Sequence, residues 1–396
     1  MSQGLAGSDD VLELTAALVG IDSQNIGAGE SEVVDYVATW GRERGFDSTV
    51  YALEPGRPNI VLTCDAGGRH LGFSGHLDTK PVGEALGEWN TDPHKLTLIG
   101  DRAYGLGASD MKAGVAAMML ALDAFAQDPV GSLSLILTAD EEQGSRLGAR
   151  YLAEAGVLPE LDGLVIGEPS GISTPFEAIH LVSRGVCCFT IEIRTRQGHS
   201  SLSPLLGRNA ILVAADLLRA FETFVPPAGE PGAVDARATV NSGMFVEGGL
   251  AYGMWPGRCV IGIEIRLTPG MRQHELLAAA TAYAESVVAG AATLTVKAVD
   301  GALGWIPAVE LSPDSVLAIC AQRACESVLD RTVPFGAYPG GTDATWFVLA
   351  DATPTIASLG PGWLSVAHGA NESVGVEQLG QARDIYRALA RAFLSA

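Results

Sequence analysis

The chain has 396 residues, and its 25 Lys and Arg against 46 Asp and Glu give a formal net charge of −21 at pH 7. Hydrophobic residues make up 47% and charged residues 18% of the chain, which is typical of a globular protein and excludes a disordered one. The acid excess argues against nucleic acid or an anionic membrane as a partner, because both bind clustered Lys and Arg.

Membrane and secretion signals are missing from the sequence. No apolar run reaches the roughly 18 residues of a transmembrane helix. Residues 1–10 lack the basic and apolar regions of a signal peptide. The six cysteines are too few for a disulfide framework in so long a chain. We therefore expect a cytoplasmic protein that does not associate with membranes.

The first part of the chain alternates helical and apolar strand patterns. In chain order it predicts helix 9–19, helix 30–44, strand 59–63, strand 71–74, helix 110–127, strand 133–138, helix 145–155 and strand 164–166. Strands that alternate with helices indicate an α/β domain with a largely parallel sheet.

The middle of the chain has a different pattern. It predicts strand 186–194, helix 209–223, a Pro-rich loop at 225–232, strands 239–246 and 258–266, and helix 273–289. The α/β pattern then resumes with helix 314–329, strand 354–358 and a helix from 376. We expect a mixed, largely parallel sheet flanked by helices over 1–177 and 299–396, interrupted by a smaller inserted α+β domain over 178–298.

Side chains that bind metals follow several of these strands. They are His76 and Asp78 after strand 71–74, Glu141 and Glu142 after strand 133–138, and Glu168 after strand 164–166, while Asp110 opens helix 110–127. Ligands of open α/β sheets bind outside the carboxyl ends of the strands. Each residue alone has a structural explanation as a turn or helix-capping residue. Together, imidazole and carboxylates at one edge match the preferences of zinc, cobalt or manganese.

The segments that carry these residues resemble the signature blocks of a known family. They are 75–79 (GHLDT), 104–114 (YGLGASDMKAG), 138–142 (TADEE) and 167–170 (GEPS), followed in order by 198–201 (GHSS), 266–270 (RLTPG), 340–343 (GGTD), 360–362 (GPG), 367–368 (AH) and 371–372 (NE). They are similar to those of the dinuclear-zinc deacylases and peptidases that include acetylornithine deacetylase, succinyl-diaminopimelate desuccinylase, aminoacylase and glutamate-releasing carboxypeptidase. The resemblance implies a catalytic α/β domain with an inserted lid and dimerisation domain, and a homodimer formed through that insertion.

The resemblance also implies a site with two divalent metal ions, zinc being expected and cobalt or manganese compatible. His76 and Glu168 would hold one ion, Glu142 and His368 the other, and Asp110 would bridge them. Asp78 would orient His76, a common need of a metal-bound imidazole. Glu141 would be the general base that activates a metal-bridging water.

Residues outside the metal set receive roles from the same resemblance. His199 would stabilise the oxyanion, usually in the active site of the partner subunit, although a lone histidine in this position is otherwise a surface or turn residue. Arg266 would bind a substrate carboxylate by paired hydrogen bonds, or is a solvated strand charge. Gly341, Thr342 and Asp343 would let the backbone approach the substrate, or form an ordinary turn.

One position departs from the family pattern. Gly253 stands where related deacetylases often have Asn. We expect a metal-dependent hydrolase that cleaves an amide bond of an N-acyl amino acid or a dipeptide-like small molecule. The alternatives are a hydrolytic deaminase or decarbamoylase acting on an unusual small substrate, and a non-catalytic binding dimer.

Overall fold

A computed structural model describes residues 9–27, 29–229 and 232–396. The helices are α1 (Asp9–Val19), α2 (Ser31–Glu43), α3 (Lys112–Ala126), α4 (Ala149–Glu154), α5 (Ser203–Leu206), α6 (Ala210–Phe221), α7 (Gln273–Val288), α8 (Val316–Leu329), α9 (Ala344–Asp351) and α10 (Val376–Leu394). Short 3₁₀ turns lie between them, among them Glu141–Gln143.

The strands are short, as expected for a chain with many connections. They are β1 (Asp47–Ala52), β2 (Pro58–Cys64), β3 (His70–His76), β4 (Thr97–Ile99), β5 (Arg102–Tyr104), β6 (Ser132–Thr138), β7 (Gly163–Ile166), β8 (Pro169–Gly171), β9 (Ile179–Ser183), β10 (Val186–Arg194), β11 (Gly198–His199), β12 (Thr239–Gly248), β13 (Met254–Trp255), β14 (Arg258–Arg266), β15 (Thr293–Ala298), β16 (Val309–Glu310), β17 (Phe335–Ala337), β18 (Thr355–Ile356), β19 (Gly360–Trp363) and β20 (Ser373–Gly375).

The chain divides into two compact units. Unit 1 comprises Met1–Ser183, Glu310–Tyr338 and Thr342–Ala396, and unit 2 comprises Arg184–Val309 and Pro339–Gly341. The insertion was expected at 178–298. The main segment of unit 2 starts at Arg184, after β9, which belongs to unit 1, and ends at Val309. The role of that insertion as a lid and dimerisation domain stays a prediction.

Unit 1 contains a six-stranded sheet in the order β1-β2-β6-β3-β7-β18. Strands β6, β3, β7 and β18 run parallel, whereas β1 and β2 are antiparallel to their neighbours. Every residue of β6 and β7 is buried, which is why both read as continuous apolar runs rather than alternating ones. The expected mixed, largely parallel sheet with helices is confirmed.

Glycines let α3 pack unusually close to this sheet. A Cβ on Gly114 of α3 would lie 2.4 Å from the carbonyl oxygen of Gly167, which directly follows β7. A Cβ on Gly75 of β3 would lie 2.5 Å from the Met111 side chain. Larger residues would push helix and sheet apart, so these glycines fix the start of α3 against the strand ends.

Unit 2 contains a four-stranded antiparallel sheet in the order β12-β14-β10-β15. Its core joins the buried face of that sheet to α6 and α7, with Phe189, Phe221 and Ile263 among the buried residues. Edge strand β12 has a bulge between Ser242 and Phe245. The unit is α+β, as the sequence indicated.

Some elements differ from the sequence prediction. Strand β1, whose residues are mostly exposed, and helix α9 were not predicted from the sequence. Helix α3 begins at Lys112 rather than at Asp110, so Asp110 is free of the helical hydrogen-bonding pattern.

Two sequence expectations fall partly outside the described residues. The segment 1–10, used for the signal-peptide argument, is described only from residue 9, and loop 225–232 lacks 230 and 231. Among the described helices no single one is long and apolar enough to cross a membrane, although the bent pair Ser200–Leu206 and Ala210–Phe221 meets those criteria together.

Candidate metal centre

The strand ends of unit 1 bring the expected metal ligands together. Neighbouring parallel strands β6, β3 and β7 end side by side, so His76 at the end of β3, Glu142 after β6 and Glu168 after β7 share one edge. Two sets of donor atoms lie close enough to hold an ion, the first from His76, Asp110 and Glu142 and the second from His76, Glu141 and Glu168.

Asp110 lies between two halves of this cluster. Its Oδ1 is 3.0 Å from Nε2 of His76, and its Oδ2 is 3.2 Å from Nε2 of His368. His76 is also 3.5 Å from Oε1 of Glu168, and His368 is 3.1 Å from Oε2 of Glu142. Each oxygen of one carboxylate therefore faces a different histidine, and each histidine has its own second carboxylate.

The electrostatics of the cluster fit cations. Burial alone would lower the pKa of His76, but hydrogen bonds with Asp110 and Asp78 outweigh it and raise that pKa well above its ordinary value. Hydrogen bonds with Asp110 and Glu142 raise the pKa of His368 to about 10. The carboxylates thus favour positive charge at both imidazoles, as they would favour a bound cation. Imidazole and carboxylate donors suit zinc, and also cobalt or manganese, so the residues fit the expected metals.

Glu141 and Glu142 are adjacent but have different surroundings. Glu142 pairs with His368 and with Nζ of Lys80, which is 3.1 Å from its Oε2. Burial, followed by the neighbouring Asp343 and Glu142 carboxylates, raises the pKa of Glu141 well above its ordinary value. A carboxyl with raised proton affinity matches the role of a general base. Its place in the second donor set also lets it act as a ligand.

Asp78 contacts His76 mainly through its backbone. Nδ1 of His76 donates to the Asp78 carbonyl oxygen at 2.9 Å, while the nearest carboxylate oxygen is 3.5 Å away. The Asp78 carboxylate instead accepts the backbone N–H groups of Glu141 and Glu142, each at 3.1 Å. Asp78 therefore connects the histidine to the Glu141–Glu142 turn.

The structure reveals further residues at the centre that sequence reasoning did not single out. The buried carboxylate of Glu372 accepts the backbone N–H groups of Gly107, Ser109 and Asp110 at 2.8–3.0 Å and so holds the loop that ends at Asp110. Lys80 also donates to the backbone carbonyl of Glu142. The sequence offered one signal for each residue, its position at a signature block: Lys80 directly follows the block 75–79, and Glu372 is the last residue of the block 371–372.

The predicted substrate residues at 341–343 are divided between the two units. Gly341 belongs to unit 2, whereas Thr342 and Asp343 are buried in unit 1. The Asp343 carboxylate accepts hydrogen bonds from Thr138 at 2.7 Å and Ser145 at 2.5 Å. It therefore supports the turn of Glu141, and contact of these residues with substrate stays a prediction.

His199 and Arg266 both lie in unit 2. Nδ1 of the exposed His199 accepts the Ser201 backbone N–H at 3.3 Å, so the ring proton is on Nε2, which can donate a hydrogen bond. Nε of Arg266 pairs with Glu264 at 3.0 Å. Gly253 has φ +86° with open space around its Cβ position, so the left-handed backbone, which glycine adopts most readily, rather than a contact favours glycine here.

Comparisons with known proteins identify the family. The family model of peptidase family M20/M25/M40 matches residues 72–392. An acetylornithine deacetylase of Aliivibrio fischeri is 30% identical over 352 residues, covering 87% of this chain and 86% of that protein. One of Vibrio campbellii is 31% identical over 247 residues, so this match spans 61% of this chain and only 63% of the relative's length.

A solved structure supports the fold independently. The M20 family metallo-carboxypeptidase Sso-CP2 of Sulfolobus solfataricus has a TM-score of 0.78 at 17% identity, covering 98% of this chain and 100% of that one. With the family model matched over most of the chain and the ligand set assembled as the motifs implied, the protein belongs to peptidase family M20/M25/M40, a family of metal-dependent hydrolases.

Proposed function

We propose that this protein hydrolyses the amide bond of an N-acyl amino acid or a dipeptide-like small molecule. The observation that carries the proposal is the position of Asp110, whose two carboxylate oxygens face His76 and His368. The acetylornithine deacetylases among its relatives support an N-acyl amino acid as substrate.

The residues of the centre would hold two divalent ions, with His76 and Glu168 on one side, Glu142 and His368 on the other, and Asp110 between them. When bound, these ions would polarise the scissile carbonyl and make a water more acidic. The five ligands offer the nitrogen and oxygen donors that zinc prefers.

Glu141 would move the proton. As water attacks the amide carbonyl, a carboxylate oxygen of Glu141 accepts one water proton, and Glu141 returns it to the leaving nitrogen as the C–N bond breaks. The products are a carboxylate and an amine. The raised pKa of Glu141 supports both the capture and the return of the proton.

His199 and Arg266 would serve the substrate. Nε2–H of His199 would donate a hydrogen bond to the developing oxyanion, and Arg266 would bind a substrate carboxylate through its guanidinium. In the related deacylases this histidine usually comes from the partner subunit, which makes a homodimer part of the proposal.

Edge strand β12 supports that homodimer. Met244, Phe245 and Val246 are 56%, 46% and 53% exposed, which leaves an apolar stretch beside unpaired backbone at the edge of the unit 2 sheet. Sedimentation velocity should give a dimer for the wild type and a monomer for Phe245→Asp. A monomeric wild type would contradict the dimer without affecting the metal centre.

The function is tested with zinc-loaded protein against N-acetyl amino acids including acetylornithine, N-carbamoyl amino acids and dipeptides. We expect release of free amine from at least one class and loss of that activity after chelation. Release of ammonia from the carbamoyl compounds would favour the decarbamoylase alternative. Fully zinc-loaded protein that hydrolyses none of these amides would contradict the proposal and favour the non-catalytic dimer.

A further inference from the structure

A buried polar network contacts the Glu141–Glu142 turn through Asp78 and Asp140. Arg57 forms two hydrogen bonds with the Glu30 carboxylate, at 2.6 and 2.7 Å, and a third with Oδ1 of Asp140 at 3.3 Å. Nδ2 of Asn25 donates to the same Asp140 oxygen at 3.1 Å and to Oδ2 of Asp78 at 2.8 Å. The network thus runs continuously from Arg57 to Asp78.

This arrangement is costly for stability alone. The Glu30 side chain is fully buried and that of Arg57 is only 21% exposed. Asp78 and Asp140 are also buried. The guanidinium contacts two carboxylates, those of Glu30 and Asp140, and the Asp78 carboxylate is joined to it only through Asn25. Removal of ions from water costs several kcal/mol for each, and apolar residues of similar size often stabilise a core as well or better. A network of this cost beside the Glu141–Glu142 turn therefore points to a role beyond packing.

The network holds the turn from both sides. The Asp140 backbone N–H donates to Glu30 at 3.2 Å, and the other Asp140 oxygen accepts the Leu147 backbone N–H at 3.1 Å. Asp78, at the far end, accepts the N–H groups of Glu141 and Glu142. The backbone positions of the proposed base and of one proposed ligand therefore depend on groups bonded through Asn25 to Arg57 and Glu30.

We propose that Arg57, Glu30 and Asn25 are positioning residues that fix the Glu141–Glu142 turn and the Asp78 carboxylate relative to each other. None of the three belongs to the proposed ligand set, so they act through Asp78 and Asp140. The inference rests on the proposed function in that it takes Glu142 as a ligand and Glu141 as the base. Outer partners of this kind typically change metal affinity or activity 10- to 100-fold.

The test compares a single variant with a charge-balanced double variant. Arg57→Met leaves Glu30 buried without its cation, so we expect a large loss of thermal stability. Adding Glu30→Gln removes that unpaired charge, and the double variant should regain most of the lost melting temperature. Zinc dissociation constants from calorimetry and steady-state kinetics are then measured on the double variant.

We expect the double variant to bind zinc about tenfold more weakly than wild type, and its kcat to fall about tenfold with KM within about twofold. A nearby pair provides the matched control. Arg146 and Glu54 lie close in sequence to Asp140 and Arg57 and also form an ion pair, with 2.6 Å between Nη2 of Arg146 and Oε1 of Glu54. Their side chains, however, are 57% and 48% exposed. Arg146→Met with Glu54→Gln should leave zinc affinity and kcat unchanged.

The outcomes separate this inference from the proposed function. A double variant with restored melting temperature, wild-type zinc affinity and wild-type kcat would overturn the positioning role while the hydrolase stands. A wild type that cleaves no amide, together with a double variant of weakened zinc affinity, would overturn the proposed function and support the network. Equal losses in the Arg146–Glu54 control would also overturn the inference, since any ion pair there would then have the same effect.

Discussion

The two units of this protein differ in whether their polar and charged side chains are buried. Among the described residues, every buried polar or charged side chain lies in unit 1, from Thr15 to Ser183 and from Thr342 to Gln378. The core cluster of unit 2 is apolar, and its charges form ion pairs at the surface, such as Glu192 with Arg194 and Arg258. An apolar core suffices for a stable fold, and buried charges cost free energy. The concentration of buried charge in unit 1 therefore supports the proposal that the metal centre lies there.

The largest effect expected within unit 1 is on catalysis. Glu141→Gln keeps the shape of the side chain but removes its capacity to accept a proton, so kcat on the identified amide substrate should fall about 1,000-fold. Metal analysis should show unchanged zinc content. Glu160→Gln, which removes an exposed acid of the same unit, is the matched control and should retain activity. Full activity of Glu141→Gln would show that another group is the base.

In unit 2 the corresponding large effect is on stability. Phe189 is fully buried in the apolar core, so Phe189→Ala should lower the free energy of unfolding by about 4 kcal/mol through lost burial and the cavity left behind. Denaturant unfolding measures this loss, and Leu212→Ala, at an exposed site of unit 2 outside the β12 edge, serves as control. Zinc affinity of the folded variant should stay at the wild-type value. A marked loss of zinc affinity would contradict the expectation that the apolar core of unit 2 contributes to stability and not to metal binding.

Acid should destabilise the protein through a buried histidine of unit 1, His180, and not through an exposed histidine of unit 2. Burial in unit 1 lowers the pKa of His180 from 6.5 to about 4, so the folded protein leaves it neutral where the unfolded chain binds a proton. Its contribution is fully present above pH 6.5 and is lost as pH falls towards 4, by about 3 kcal/mol.

The measurement is the free energy of unfolding of the metal-free protein at pH 7 and pH 4. The drop between these values should be smaller in His180→Gln than in wild type. His274→Gln in unit 2 should behave like wild type, because that side chain is 79% exposed. An identical drop in all three proteins would show that His180 does not contribute to the loss of stability in acid.

The smallest effect concerns Lys80, whose ammonium pairs with Glu142 and so competes with a metal for that carboxylate. Lys80→Met should tighten zinc binding several-fold, as expected for a partly exposed ion pair. Lys80→Arg, which keeps the charge, should stay near wild type. Calorimetric titration of the three proteins decides this, and weaker binding by Lys80→Met would contradict the competition.

Sequence patterns predicted well which side chains meet at the strand ends, because the patterns are local. His76, Glu142 and Glu168 each follow an apolar run, and parallel neighbours must end at one edge. The α+β character of unit 2 was also readable from alternation in β10 and β14. His368 has no such pattern, since it lies in a loop with φ +61°, and only the family resemblance pointed to it.

The supporting residues could not be predicted in this way. Asp140 forms hydrogen bonds with Asn25, Glu30 and Arg57, which are 83 to 115 residues away in sequence. Local periodicity does not predict contacts over such separations. The family resemblance gave Asp343 a role toward the substrate, which stays a prediction, but did not indicate that its carboxylate accepts hydrogen bonds from Thr138 and Ser145. Tertiary structure alone decides which acids support a site and which ones form it.

We propose that the buried carboxylates of unit 1 form a two-metal centre bridged by Asp110. Metal content and zinc titration of the purified protein and of Asp110→Asn test this arrangement directly. We expect two zinc ions per wild-type chain and strong weakening of both in the variant, since each Asp110 oxygen faces a different histidine. A wild type that binds no more than one ion, or a variant that binds two with unchanged affinity, would contradict a two-metal centre bridged by Asp110.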